Sequence, residues 1–392
     1  MKICHTRNPE LTYRYAGDIA QFAGEWDAFL PENHSLESRY LRILEDAELP
    51  DLRNHYLIIA RKDKTIGLAV FQQFRFHSGH YDSKALGEGP LYYLSQLFLC
   101  QETGILVCGN LFRSDAEGFY FSDPADRSCM LEIAGEMEKK WKPGALLIKD
   151  IREPMAASLL KNRGYRIFGE DEVMTLSLSP RWKSFSDYLN ALSKKYRQRA
   201  NRILGAAAEL RQTILEENDL RERMSEVQSL YEQVRNRQTL RIGSLNAAYF
   251  LEMKRVLGHH FQVYAWLDEE GKMLAFTSHL ILENGGREVH YIGFDYEANE
   301  KYFLYFNILF DGIRRGIEEG NPVVFFGRTG TDAKASTGAV PEKKLHYFRL
   351  KPGLPALTFR ILQKALLQKE LQNRISRNPF RSAGQEPELQ EA

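Results

Sequence analysis

The stretch 289–350 constrains the fold more than any other part of the chain. It reads VHYIGFDYEANEKYFLYFNILFDGIRRGIEEGNPVVFFGRTGTDAKASTGAVPEKKLHYFRL. An apolar run at 290–294 leads into a short polar turn. An amphipathic segment at 302–319, about five helical turns long, follows it. A second apolar run, Val323 to Phe326, ends in the loop Gly327-Arg328-Thr329-Gly330-Thr331. A strand–helix–strand of this kind belongs to an α/β protein. It brings strand ends and a helix N-terminus together, where backbone N–H groups favour an anionic ligand.

The rest of the chain repeats one element order. In the first half, helices at 25–29 and 38–45 precede strands at 56–61 and 66–76, joined at Lys62-Asp63-Lys64. In the second, helices at 222–235 and 245–257 precede strands at 261–267 and 273–282, joined at Asp268-Glu269-Glu270-Gly271. Asn284-Gly285-Gly286 marks a further hairpin. The first half continues with extended segments at 104–107 and 118–121, helices at 126–140 and 153–163, and strands at 145–148 and 173–178. This reads as a diverged internal duplication. A chain of 392 residues exceeds what one core usually serves. Pro180 marks the boundary, giving domains at 1–180 and 181–355 and a tail at 356–392.

Composition excludes several classes. Net charge is +1, so no global field attracts nucleic acid. No window approaches a membrane-spanning length, and the N-terminus carries no apolar signal core, so the expectation is a cytoplasmic protein. Cys4, Cys100, Cys108 and Cys129 have no metal-type spacing and fit a reducing compartment. There is no GxSxG elbow, GxxxxGK[ST] loop, HExxH or CxxC. His259-His260 is an adjacent pair whose rings share no face on a helix or strand. No metal is expected.

Charge is uneven locally. The segment 184–210 carries a helical apolar stripe behind a candidate N-cap at Ser184 or Ser186. Lys195, Arg199 and Arg202 share one face of it, either as a solvated basic face or as a phosphate contact surface. The tail helix expected at 357–375 interleaves Phe359, Leu362, Leu366 and Leu367 with basic residues. It suits docking on the protein or peripheral contact with an anionic membrane. The last residues, GQEPELQEA, read as disordered.

Three segments carry a family resemblance: YLNALSKKYRQRANR at 188–202, YIGFDYEANEKYFLYFNILFDG at 291–312 and FGRTGTDAKASTGAVP at 326–341. With the duplicated element order, they resemble the GNAT-superfamily N-acyltransferases, specifically the FemAB-like, peptidoglycan-biosynthesis group. The resemblance implies an α/β fold of two tandem GNAT-like domains with mixed, mostly antiparallel sheets flanked by helices. It implies transfer of an activated acyl or aminoacyl group onto an amine of a small-molecule, lipid or cell-envelope precursor. The acyl carbonyl would sit where strands 290–294 and 323–326 splay apart, with donor phosphates near 299–302. The segment Tyr296-Glu297-Ala298-Asn299-Glu300-Lys301 lacks the glycines of the usual CoA loop. The donor is therefore left open among acyl-CoA, an acyl-carrier protein and an aminoacyl-tRNA. A tRNA-dependent aminoacyltransferase and a non-catalytic binding protein are the alternative readings, and oligomeric state is left open.

Such transfer needs an amine that loses its proton, donors for the developing oxyanion and an acid for the leaving group. Asp295, just beyond a strand end, is the candidate base. Glu288 and His290 alternate on one strand face, either as acid–base groups or as a polar row facing solvent. Tyr296, Tyr302 and Tyr305 are candidate donors to the leaving group, although Tyr305, on an apolar helix, reads first as a packing residue. Asn307 reads as either structural or binding. Arg328, directly after a buried strand, is the leading substrate ligand, with Thr329 beside it. Lys334 and Ser336 are expected in the following loop, which reads by itself as solvated; the resemblance implies that Lys334 joins Arg328 as a second cation for an anionic substrate group.

Overall fold

The computed structural model describes residues 3–32, 34–76, 103–114, 116–238, 243–351 and 378–380. The expected tail helix at 357–375, the terminal GQEPELQEA and Cys100 lie outside the described residues. No described helix is long and apolar enough to cross a membrane.

Two compact units form. One comprises Met1–Asp171, Gln238–Leu245 and Lys343–Gln372; the other comprises Glu172–Arg237, Asn246–Glu342 and Asn373–Ala392. The chain therefore does not divide at 180 and 355 as its sequence led us to expect. Backbone pairing decides the difference. Residues 174–177 hydrogen-bond into the second unit's sheet, and residues 345–350 into the first's.

The first unit's strands are β1 (Cys4–His5), β2 (Leu11–Ala16), β3 (Leu52–Arg61), β4 (Lys64–Phe76), β5 (Thr103–Cys108), β6 (Phe119–Phe121) and β7 (Ala145–Ile151). They run β1-β2-β3-β4-β5-β7, with β6 beside β4. The pairs are antiparallel except β5 with β7. The last strand of the chain, β14 (Val340–Leu350), pairs antiparallel with β7. Side-chain alternation builds two cores. Ile58, Leu68 and Val70 face Phe22, Trp26 and Leu41, while Leu57, Ile59, Ala69 and Phe71 face the Cys129–Trp141 helix. The helix expected at 153–163 is reduced to Ala157–Asn162.

The second unit runs β8 (Arg166–Ser177, through its last residues), β13 (Val323–Gly327), β12 (Arg287–Phe294), β11 (Met273–Ile281), β10 (Phe261–Leu267) and β9 (Arg211–Leu215). Only β12 with β13 is parallel. β12 is covered on one face by the Met224–Asn236 helix and on the other by Leu304–Glu318. Gly293 permits the first: a Cβ there would stand 2.7 Å from the backbone of Leu230 and Tyr231. Among the described residues, each unit thus has mostly antiparallel strands with one parallel pair and flanking helices, the α/β arrangement of two similar units that the repeated element order led us to expect.

Two expected elements are split. The stripe at 184–210 becomes helices Phe185–Ala191 and Lys194–Ala206. Ser184 and Asp187 close a reciprocal capping box at the first, and Leu192 then turns extended to bridge Phe380. The polar turn after β12 is itself a helix, Tyr296–Tyr302, separated from Leu304–Glu318 by Phe303 in the left-handed conformation (φ 49°).

Candidate functional site

In the second unit, β12 and β13 pair only at Arg287 with Val324 and Glu288 with Phe325. β12 then continues to Phe294 against β11, while the register of β13 shifts between Phe325 and Gly327. The strands part where Gly327 begins the polar loop. In the first unit the parallel pair holds from Ile105 with Ala145 to Cys108 with Ile148. There the Lys149 side chain fills the exit. Its ammonium donates to the carbonyls of Asn110 (2.9 Å) and Arg113 (2.8 Å) and to the Asp150 carboxylate. The better opening is therefore in the second unit.

A bulge in β12 builds one side of it. Tyr291 lies opposite Ser278 and Val289 opposite His279, which leaves His290 as the extra residue. Glu288, His290 and Tyr291 thereby meet the Ala247–Leu257 helix and its neighbours, while Val289, Ile292 and Phe294 pack toward Leu304–Glu318. Glu288 and His290 are buried, which corrects the reading of a polar row in solvent. His290 Nδ1 lies 3.0 Å from Glu288 Oε1, and Nε2 lies 2.8 Å from the Tyr249 hydroxyl. These contacts make a hydrogen-bonded chain, Glu288–His290–Tyr249. The Tyr291 ring stands edge-on to Tyr231 and Tyr249. Its hydroxyl pKa is pushed well above the ordinary value, first by burial and then by Tyr231, Tyr249 and Glu288, against the positive charge of half-buried Arg328. Tyr249 had no sequence signal beyond helical spacing, because what selects it is its reach across to β12.

The loop after β13 builds the other side. Lys334 is not in a solvated loop. It lies on the short Thr331–Ala335 helix, 4% exposed, and its ammonium donates to the Gly327 carbonyl at 3.2 Å. It makes no ion pair among the described residues, and burial pulls its pKa down to about 7. Ser336 donates to the Ala333 carbonyl within the same turn. Tyr305 reaches the loop from the Leu304–Glu318 helix. Gly330 has φ 69°, and a Cβ there would stand 2.3 Å from the Tyr305 hydroxyl oxygen, so glycine is required on both counts. Burial raises the Tyr305 pKa. Lys334 and Tyr305 therefore both reach the 327–330 loop that carries Arg328, with Thr329 exposed at the rim.

Other expected residues have structural work. Asp295 Oδ1 accepts from the N–H groups of Glu297 (2.9 Å) and Ala298 (3.0 Å), the geometry of a helix N-cap rather than a base. Asp295→Ala is expected to cost about 1 kcal/mol in chemical denaturation and to leave ligand affinity unchanged. Asn307 donates to the carbonyls of Ile203 (3.1 Å), Tyr302 (2.9 Å) and Phe303 (3.3 Å), which holds the helix break at Phe303. Tyr302 lies in a surface network, donating to Glu209 (2.6 Å) beside Lys301. On the Lys194–Ala206 helix, Arg199 stacks 4.7 Å from the Phe306 ring and Arg202 5.6 Å from Phe303, while Lys195 is exposed. These two cations flank the start of the Leu304–Glu318 helix, a place suited to phosphate.

In the first unit, Asp150, Asp171 and His346 cluster closely enough to resemble a metal set. His346 Nδ1 accepts from the Asp150 N–H (2.9 Å) and Nε2 pairs with Asp171 (2.8 Å), so both ring nitrogens already have protein partners.

No family model matches the chain, and no curated protein matches it. Solved structures do. L-PGS from Bacillus licheniformis aligns over 85% of this chain and 98% of its own at 13% identity, TM-score 0.49. A tandem GNAT protein from the clavulanic acid biosynthesis pathway aligns over 88% and 100% at 10% identity, TM-score 0.48. The C-terminal domain of a putative lysylphosphatidylglycerol synthetase from Agrobacterium fabrum aligns over 67% and 82% at 16% identity, TM-score 0.43.

Proposed function

We propose that this chain is an N-acyltransferase of the FemAB-like kind, moving an activated acyl or aminoacyl group onto an amine of a small-molecule, lipid or cell-envelope precursor in the cytoplasm. The observation that carries the reading is Lys334, a lysine buried without a carboxylate where β12 and β13 part. A lysine with a pKa near 7 is half neutral at neutral pH and accepts a proton. That role replaces the second anion-holding cation expected from the sequence.

In the transfer, the acceptor nitrogen attacks the acyl carbonyl carbon and passes its proton to the neutral Lys334 amine. The C–N bond forms and the bond to the donor oxygen or sulfur breaks. The leaving atom takes a proton from the Tyr305 hydroxyl, and solvent restores both residues. Arg328 holds an anionic group of the substrate, and the Glu288–His290–Tyr249 chain fixes the opposite wall. Arg199 and Arg202, stacked on Phe306 and Phe303, hold phosphates of the donor. That arrangement suits acyl-CoA, an acyl-carrier protein or an aminoacyl-tRNA without a glycine loop.

The test compares binding of acetyl-CoA, long-chain acyl-CoA, acyl-carrier protein and aminoacyl-tRNA at one salt concentration. Saturable binding of one donor class, followed by transfer to an amine, supports the reading; no binding of any sinks it. Arg328→Ala is expected to weaken substrate binding by about 1.5–3 kcal/mol, the range for a hydrogen bond to a charged group, read as a rise in Kd at unchanged thermal stability.

A further inference from the structure

Arg113 follows β5 in the first unit, in a chain segment that the proposed transfer does not use. Its residue is 8% exposed, and guanidinium atoms Nε and Nη1 are buried with no hydrogen-bond partner. No ion pair reaches it among the described residues. Described carboxylates of the neighbouring segments pair with other cations. Asp150 holds the Lys149 ammonium, and Glu117 takes two contacts from Arg127, at 2.6 and 3.1 Å. Glu37 holds Arg39 at 2.6 Å.

The surroundings add positive charge and a flat aromatic face. The Arg113 guanidinium lies 5.6 Å from the centroid of the Tyr40 ring, and the Arg39 guanidinium lies 5.1 Å from the same ring. Lys149 donates to the Arg113 carbonyl, which brings a second cation under the same loop. A buried guanidinium without a counter-charge costs several kcal/mol, and a neutral form is not accessible to arginine as it is to Lys334. Among the described residues no anion supplies that compensation.

We propose that Arg113 is the central ligand of a small-oxyanion site in the first unit, taking a carboxylate or phosphoryl group against the Tyr40 ring. The narrow exposure of Arg113 restricts the occupant to a group that presents bare oxygens. The assignment does not depend on the transfer chemistry proposed for the second unit.

Thermal unfolding and calorimetric titration of the full chain test this, with inorganic phosphate and with acetate as separate probes at constant ionic strength. Wild-type protein is expected to show a saturable rise in Tm with one of the two, which identifies the class. Arg113→Met is expected to lose that response. It is also expected to be at least as stable as wild type in anion-free buffer, because an uncompensated buried charge has gone. Should Arg113→Met fail to fold, Arg113→Lys, which keeps the charge but not the planar fork, is expected to bind the anion about tenfold more weakly. Absence of a saturable response to both anions in wild type overturns the proposal. So does an undiminished response in the folded variants.

Discussion

Replacing Lys334 by Met is expected to lower the rate of acyl transfer by about 10²–10⁴-fold, the range for loss of a general base, while making the folded protein more stable. The two effects share one cause. Lys334 is buried at 4% exposure with the Gly327 carbonyl as its hydrogen-bond acceptor, and desolvation brings its pKa down to about 7. In the unfolded chain the same amine keeps an ordinary lysine pKa, about 10.4. Between those values the unfolded state binds more protons, so stability rises with pH. Below about pH 7 both states are charged and the full burial penalty is present. Met carries no such penalty. The stability gain of Lys334→Met should therefore be greatest below pH 7 and shrink as pH approaches the lysine range, as read by denaturant unfolding at pH 6 and pH 10. In wild type, kcat/KM for transfer should rise with pH through about 7, and that limb should vanish in Lys334→Met. A variant that is less stable at pH 6, or as active as wild type, would contradict the assignment.

Arg287→Ala should destabilise the second unit by about 2–5 kcal/mol, from the cavity left by a fully buried long side chain and the hydrogen bonds lost at Asn321, Gln262 and His279. Arg287 is fully buried on β12, at the only stretch where β12 and β13 pair. Its guanidinium bonds the Glu319 carboxylate, Asn321 Oδ1 (3.0 Å), Gln262 Oε1 (3.2 Å) and His279 Nδ1 (3.0 Å). It thus ties β12 to β10, β11 and the end of the Leu304–Glu318 helix. Burial, and then the positive charge of Arg287, holds His279 well below the ordinary histidine pKa, so the neutral ring accepts the Arg287 donor. Acid charging of His279 opposes that contact. Truncation leaves Glu319, Asn321 and Gln262 without their donor and a cavity between strands. The measurement is the urea midpoint. A loss below about 1 kcal/mol would mean that water replaces the guanidinium, as at a surface pair.

Much of the fold was legible. Alternation at 261–267 and 273–282, the Asn284-Gly285-Gly286 hairpin and the Val323–Phe326 run all gave strands close to the observed β10, β11 and β13. These are local signals: period, turn chemistry and β-branched or aromatic content. The site was legible in part. Arg328 and Lys334 were named from the strand and loop that carry them and Tyr305 chiefly as a packing residue, and Lys334 and Tyr305 both reach the 327–330 loop that contains Arg328. Asp295 misled, because a carboxylate just past a strand end is as good a helix cap as a base, and only the backbone N–H groups of Glu297 and Ala298 decide between the two.

Within one segment, then, the sequence by itself determined which stretches are extended or helical and that their order is repeated. It did so because hydrophobic period and turn residues act over a few positions. Tertiary structure decided which strands close each sheet, since residues 174–177 and 345–350 pair with partners far away in the chain. It also decided that a one-residue bulge puts Glu288, His290 and Tyr291 on one face of β12. And it decided that Lys334 is buried with no ion pair among the described residues, because packing desolvates its amine while the nearby Asp332 stays exposed.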